Sequence, residues 1–108
     1  MEYFSKIEPK NCSGMDEIRN EIDELDRLVI TALDKRFEYV KAAAKFKTSI
    51  SSVKAPERLK SMLIQRRVWA EEKGLHPDII EKIYSDLVSY FISEEMTNWE
   101  AEINHKFE

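Results

Sequence analysis

The stretch that decides the fold is residues 16–47, DEIRNEIDELDRLVITALDKRFEYVKAAAKFK. At helical spacing Ile18, Ile22, Leu25, Val29, Ala32, Arg36, Val40, Ala43 and Lys47 recur every three or four positions on one broad stripe, with no Gly or Pro to interrupt it. Arg36 and Lys47 occupy places where that pattern asks for apolar side chains. In an uninterrupted helix their separation is about three turns, so the two point the same way with about 16 Å between their Cα atoms. Their long side chains can then close on one small anion. Arg19 lies about 25 Å before Arg36 along the axis and roughly 100° round it, and cannot join that pair within one straight helix.

A helix of some thirty residues is about 45 to 50 Å long, whereas a compact 100-residue globule has a radius of gyration near 13 Å. Such a helix overhangs its own chain and needs a second one to cover it. The expected state is an intertwined homodimer.

Two Gly, three Pro, 43% hydrophobic and 35% charged residues in a chain of 108 describe one small all-α domain with short connections and solvated outer faces. The formal charge of −4 argues against a nucleic-acid partner, because a duplex binder carries a basic face. Gln65-Arg66-Arg67 is balanced at once by Glu71-Glu72. With Cys12 the single cysteine, no internal disulfide is possible; His76 and His105 lack ligand spacing, so no metal is expected. An early acid, no signal-type apolar run and no span of ~18 to 20 apolar residues make a cytoplasmic protein without membrane contact the expectation.

Along the chain, residues 1–12 read as an arm and residues 13–108 as the helical domain. The Ser13-Gly-Met-Asp16 run has the S-x-x-D form of a helix start, with Asp16, Glu17 and Glu21 favourable near the positive end of the dipole. The stripe runs on to Phe46 and Lys47, where the hydroxyl-rich residues 48–52 predict a loop. Pro56 suits the first turn of a second helix, whose apolar side is Leu59, Met62, Leu63, Val68, Trp69 and Ala70, and Gly74 supplies its stop. Pro77 opens a third helix in the same way. There, Val88, Ile92, Glu95 and Trp99 follow a 4-3-4 spacing that sets the Glu95 carboxylate among apolar neighbours. Tyr90, Phe91 and Trp99 read as packing residues. Three helices, long, short and long, make a six-helix bundle when doubled, with room for small ligand sites between facing helices.

The run Cys-Ser-Gly-Met-Asp-Glu-Ile-Arg19-Asn-Glu-Ile-Asp23-Glu-Leu-Asp26, followed by Lys35-Arg36, Tyr39-Val-Lys-Ala-Ala, Lys45-Phe-Lys47, Ala55-Pro-Glu-Arg58 and Trp69-Ala-Glu-Glu-Lys-Gly-Leu75, resembles the AroQ-class chorismate mutase fold. Within that family the likeness is greatest to the isochorismate pyruvate lyases of salicylate and siderophore biosynthesis, and it extends over roughly residues 10 to 99. The resemblance implies an intertwined homodimer with two active sites for a small dicarboxylate, each completed by Arg19 of the other chain. By position it gives Arg36 a substrate carboxylate, Lys47 the ether oxygen and a carboxylate, and Arg58 a further cationic contact. It implies a pericyclic breakdown of isochorismate to salicylate and pyruvate, without a cofactor, and weak chorismate mutase activity beside it.

Mutases of this fold place acids near the start of the second helix, where this chain has Ala55 and Leu59. Their absence favours the lyase. Glu95 stands where the family commonly has Gln: an amide donates to the ether oxygen, whereas an ionised carboxylate only accepts. Burial and substrate charge raise a carboxyl pKa, so Glu95 is expected to work protonated. A chorismate mutase forming prephenate and a non-catalytic regulatory dimer remain the alternative readings.

Overall fold

The computed structural model describes residues 6–49 and 54–106. Among them the chain is all-helical: α1 spans Met15–Ala43, α2 Pro56–Glu72 and α3 Pro77–Lys106, and short 3₁₀ turns lie at Pro9–Asn11 and Ala44–Phe46. The order long, short, long agrees with the hydrophobic periodicity. No helix among the described residues is long and apolar enough to cross a membrane. The chain forms two compact units, Met1–Phe37 and Glu38–Glu108.

In the first unit the arm is tied to α1. The Ile7 N–H donates to Glu21 Oε1 at 3.0 Å, and the Pro9–Asn11 turn is closed by Cys12 N–H on the Pro9 carbonyl at 3.3 Å. Ile7, Pro9 and Cys12 face Ile18, Ile22 and Leu25 across a half-open groove of about 350 Å³. The helix start differs in detail from the S-x-x-D reading. Ser13 pairs with Glu17, not Asp16, donating from Oγ to Oε1 and from its backbone N–H to Oε2 at 3.3 Å. The reason is that α1 begins at Met15, with the Ile18 N–H on the Gly14 carbonyl, so Ser13 sits one residue outside the cap position and its reciprocal partner moves one residue along. These bonds hold the Glu17 carboxyl below its ordinary pKa.

α1 has no buried residue. On its stripe Ile22, Leu25 and Val29 are 49%, 43% and 56% exposed, and Ile30 beside them 66%. The stripe predicted from periodicity is present and largely uncovered within a single chain.

In the second unit α2 packs on α3. Met62 and Ala70 of α2 and Phe91 of α3 are buried, along with Ala44 in the 3₁₀ turn. Leu59 and Leu63 are half-buried, while Val68 and Trp69 stay nearly half-exposed. Trp69 is occupied otherwise: the Arg66 guanidinium lies 4.5 Å from its ring centre and 5.6 Å from that of Tyr84 on α3. Arg67 reaches across to Asp78 at 2.7 Å and Glu81 at 3.2 Å, which raises the Arg67 pKa and lowers that of Asp78.

The turn between α2 and α3 follows from three residues. Gly74 adopts φ +73, with its N–H on the Glu71 carbonyl and the Leu75 N–H on that of Ala70, the paired bonds of a Schellman stop. His76 then caps α3, its Nδ1 accepting from the Asp78 N–H at 3.2 Å, and Pro77 takes the first helical position. At the start of α2, Ala55 has φ 39 and ψ 61, a left-handed conformation that costs a non-glycine residue about 1 to 2 kcal/mol.

Candidate active site

Lys47, Glu95 and Trp99 come together in the second unit. Glu95 is 5% exposed, the one charged side chain among the buried described residues, and its Oε1 has no hydrogen-bond partner among them. Four residues before it on the same helical face stands Phe91, and four after it Trp99. Burial pushes the Glu95 carboxyl pKa up, and the Lys47 ammonium pulls it down by less. A carboxyl in that position is biased toward its neutral form, in which it can donate a hydrogen bond.

Lys47 is not part of α1. The α-helix ends at Ala43 and tightens into the 3₁₀ turn Ala44–Phe46; Lys47 follows it with φ −91 and ψ 134, its N–H on the Ala44 carbonyl at 3.1 Å. The expectation that Arg36 and Lys47 point the same way assumed eleven residues of unbroken α-helix, and the tighter turn removes that basis. What places Lys47 is instead α3: the Trp99 indole N–H donates to its carbonyl at 3.2 Å, across a sequence separation of 52. Periodicity assigned Trp99 to packing, and nothing local in the sequence signals this bond. The loop expected over residues 48–52 falls mostly outside the described residues; Thr48 and Ser49 are non-helical.

Arg36 and Arg19 belong to the first unit. Arg36 is half-buried with its Nη1 inaccessible to solvent, and Arg19 is exposed near the start of α1. Helix geometry keeps them about 25 Å apart along the axis. Arg58 lies in the first turn of α2, exposed, its carbonyl accepting from Ser61 Oγ at 3.1 Å.

The order of these residues along three helices has a family behind it. The sequence model of type II chorismate mutases matches residues 18–96. The chain belongs to that family. It is 40% identical over 91 residues to an isochorismate pyruvate lyase of Pseudomonas aeruginosa, a match covering 84% of this chain and 90% of the lyase. It is also 38% identical over 86 residues to a T-protein of Haemophilus influenzae and 37% identical over 67 residues to one from Enterobacter agglomerans. Those matches cover 79% and 61% of this chain but only 22% and 18% of the T-proteins. As a member of the chorismate mutase family, the chain carries Arg36, Lys47, Arg58 and Glu95 within the matched residues, and Arg19 at their start.

Proposed function

We propose that this protein is an isochorismate pyruvate lyase, cleaving isochorismate to salicylate and pyruvate. The observation that carries the reading is the 40% identity extending over 90% of a curated lyase. As the ether C–O bond breaks, a hydrogen passes from the ring to the enolpyruvyl methylene, leaving an aromatic ring and pyruvate, so that no covalent nucleophile is required. What the protein supplies is a fixed reactive conformation and stabilisation of negative charge growing on the ether oxygen. By the family's pattern Arg36 holds a carboxylate, Lys47 and protonated Glu95 address the ether oxygen, and Arg58 adds a further cationic contact.

The domain of residues 13–108 works as a homodimer, with the partner chain lending its Arg19 to each site. Supporting this, Ile22, Leu25 and Val29 are each about half-exposed on α1 and Ile30 about two-thirds exposed. Covering them recovers about 1 kcal/mol apiece at the usual value for burying an aliphatic side chain. Chorismate mutase activity, forming prephenate, is the second reading, favoured by the family match itself. Against it as the main reaction stand Ala55 and Leu59, which offer no carboxylate at the start of α2.

The test offers each substrate to the purified protein and follows salicylate fluorescence and prephenate formation. Salicylate as the main product supports the lyase. Prephenate alone would reassign the enzyme to the mutases, and turnover that survives Arg36→Ala unchanged in a well-folded protein would remove the active site described above.

A further inference from the structure

Trp99 lies beyond the residues that the chorismate mutase model matches, and the reaction as derived gives it no part. It nevertheless makes a specific contact to a residue of the proposed site. Its indole N–H, a donor with no accepting capacity, meets the backbone carbonyl of Lys47 at 3.2 Å in a part-buried setting. That carbonyl leaves the 3₁₀ turn Ala44–Phe46 at the point where the chain becomes extended. The turn is anchored on its other side by Ala44, 3% exposed, while α3 packs against it. Glu95 stands one helical turn before Trp99 on α3, about 6 Å along the axis, and feels the Lys47 charge. α3 therefore bears on Lys47 twice, through the indole bonded to its carbonyl and through the buried Glu95 carboxyl, which feels its charge.

From this juxtaposition we infer that Trp99 is a positioning residue for Lys47: its hydrogen bond fixes the Lys47 backbone where the helix has ended, and so sets where the ammonium stands relative to Glu95 and to the substrate ether oxygen. The physical need is plain. A lysine side chain has four rotatable bonds, and its head is located only as well as the backbone from which it starts. Lys47 stands outside α1, where its N–H is held by the Ala44 carbonyl and its own carbonyl by the Trp99 indole. The inference rests on the lyase reading for its effect on rate, but not for the hydrogen bond or for the Lys47–Glu95 electrostatics.

The test removes the donor and keeps an aromatic ring, in Trp99→Phe. The bicyclic analogue with benzothiophene in place of indole, introduced at the same position, keeps the volume as well if the phenylalanine variant folds poorly. Two quantities are read. Steady-state kinetics on isochorismate should show kcat lower by about five- to ten-fold, the scale of one lost hydrogen bond, with KM within about two-fold of wild type. The titration of the Glu95 carboxyl, followed by carbon NMR without substrate, should move to higher pH, because a displaced ammonium no longer favours the ionised form. The groups concerned are Glu95 and Lys47, whose charge acts on it from the chain after the 3₁₀ turn. An unchanged Glu95 titration in a folded variant overturns the proposal, whatever the rate does. A shifted titration in a protein whose wild type turns over neither isochorismate nor chorismate supports the positioning role and defeats the lyase reading alone.

Discussion

Replacing Glu95 by Gln tests the central electrostatic feature of this protein without requiring any assumption about its substrate. Glu95 is buried, its Oε1 lacks a hydrogen-bond partner among the described residues, and its carboxyl pKa is raised above the ordinary 4.5 by burial, with Lys47 offsetting part of the rise. The folded protein therefore holds the proton over a pH range in which the unfolded chain has already released it. In that window folding stability falls as pH rises, at up to about 1.4 kcal/mol per pH unit for one group, starting near the unfolded value and levelling off above the raised one. The amide of the variant cannot titrate. The stability of wild type minus that of Glu95→Gln should thus decline with pH, which urea unfolding at one fixed protein concentration from about pH 5 to about pH 8 measures directly. Glu17 and Asp78, whose pKa values are lowered, act in the opposite sense, contributing stability that is lost as pH falls. Both proteins share them, so they cancel in the difference. Parallel stability curves for the two proteins would refute the reasoning. In catalysis the same proton predicts activity that rises as pH falls below neutral, and a flat kcat/KM profile in Glu95→Gln; a wild-type profile already flat would show that the neutral carboxyl has no part in turnover.

The proposed shared site can be tested by mixing. Arg19→Ala and Arg36→Ala should each be nearly inactive, but their equimolar mixture, after subunit exchange, should recover about one quarter of wild-type activity, because half of the dimers then carry one intact site of two; no recovery would place Arg19 in its own chain's site or outside catalysis. Val29→Glu puts a charge on a stripe residue that is 56% exposed in one chain; on the proposed homodimer, sedimentation should show a dimer for wild type and a monomer for the variant, and a variant that stays dimeric would mean that another face associates. At Gly74 an added Cβ meets nothing within 4 Å, so Gly74→Ala isolates the backbone cost of φ +73. That cost is about 1 kcal/mol, or a fall in Tm of roughly 4 to 8 °C, measured by thermal unfolding; an unchanged Tm would show that the turn relaxes.

Much of this protein was legible in its sequence because helices are written locally. A stripe recurring every three or four residues, Pro56 and Pro77 at first-turn positions and Gly74 at a stop decide where α1, α2 and α3 lie through interactions spanning no more than five residues. The 4-3-4 spacing likewise sets Glu95 on the face of Val88, Ile92 and Trp99. What the sequence by itself could not decide is where α1 stops being a helix. The Ala-rich run before Lys47 favours α-helix and carries no Gly or Pro, yet the last turn is 3₁₀ and Lys47 stands beyond the α-helical ladder. Its carbonyl there is held by an indole 52 residues away, and that bond exists only once α3 lies against the turn. Residue types and local periods determine the elements and the candidate chemistry; the placement of Lys47 against Glu95 belongs to the tertiary structure, because a contact between distant segments has no counterpart in either segment alone.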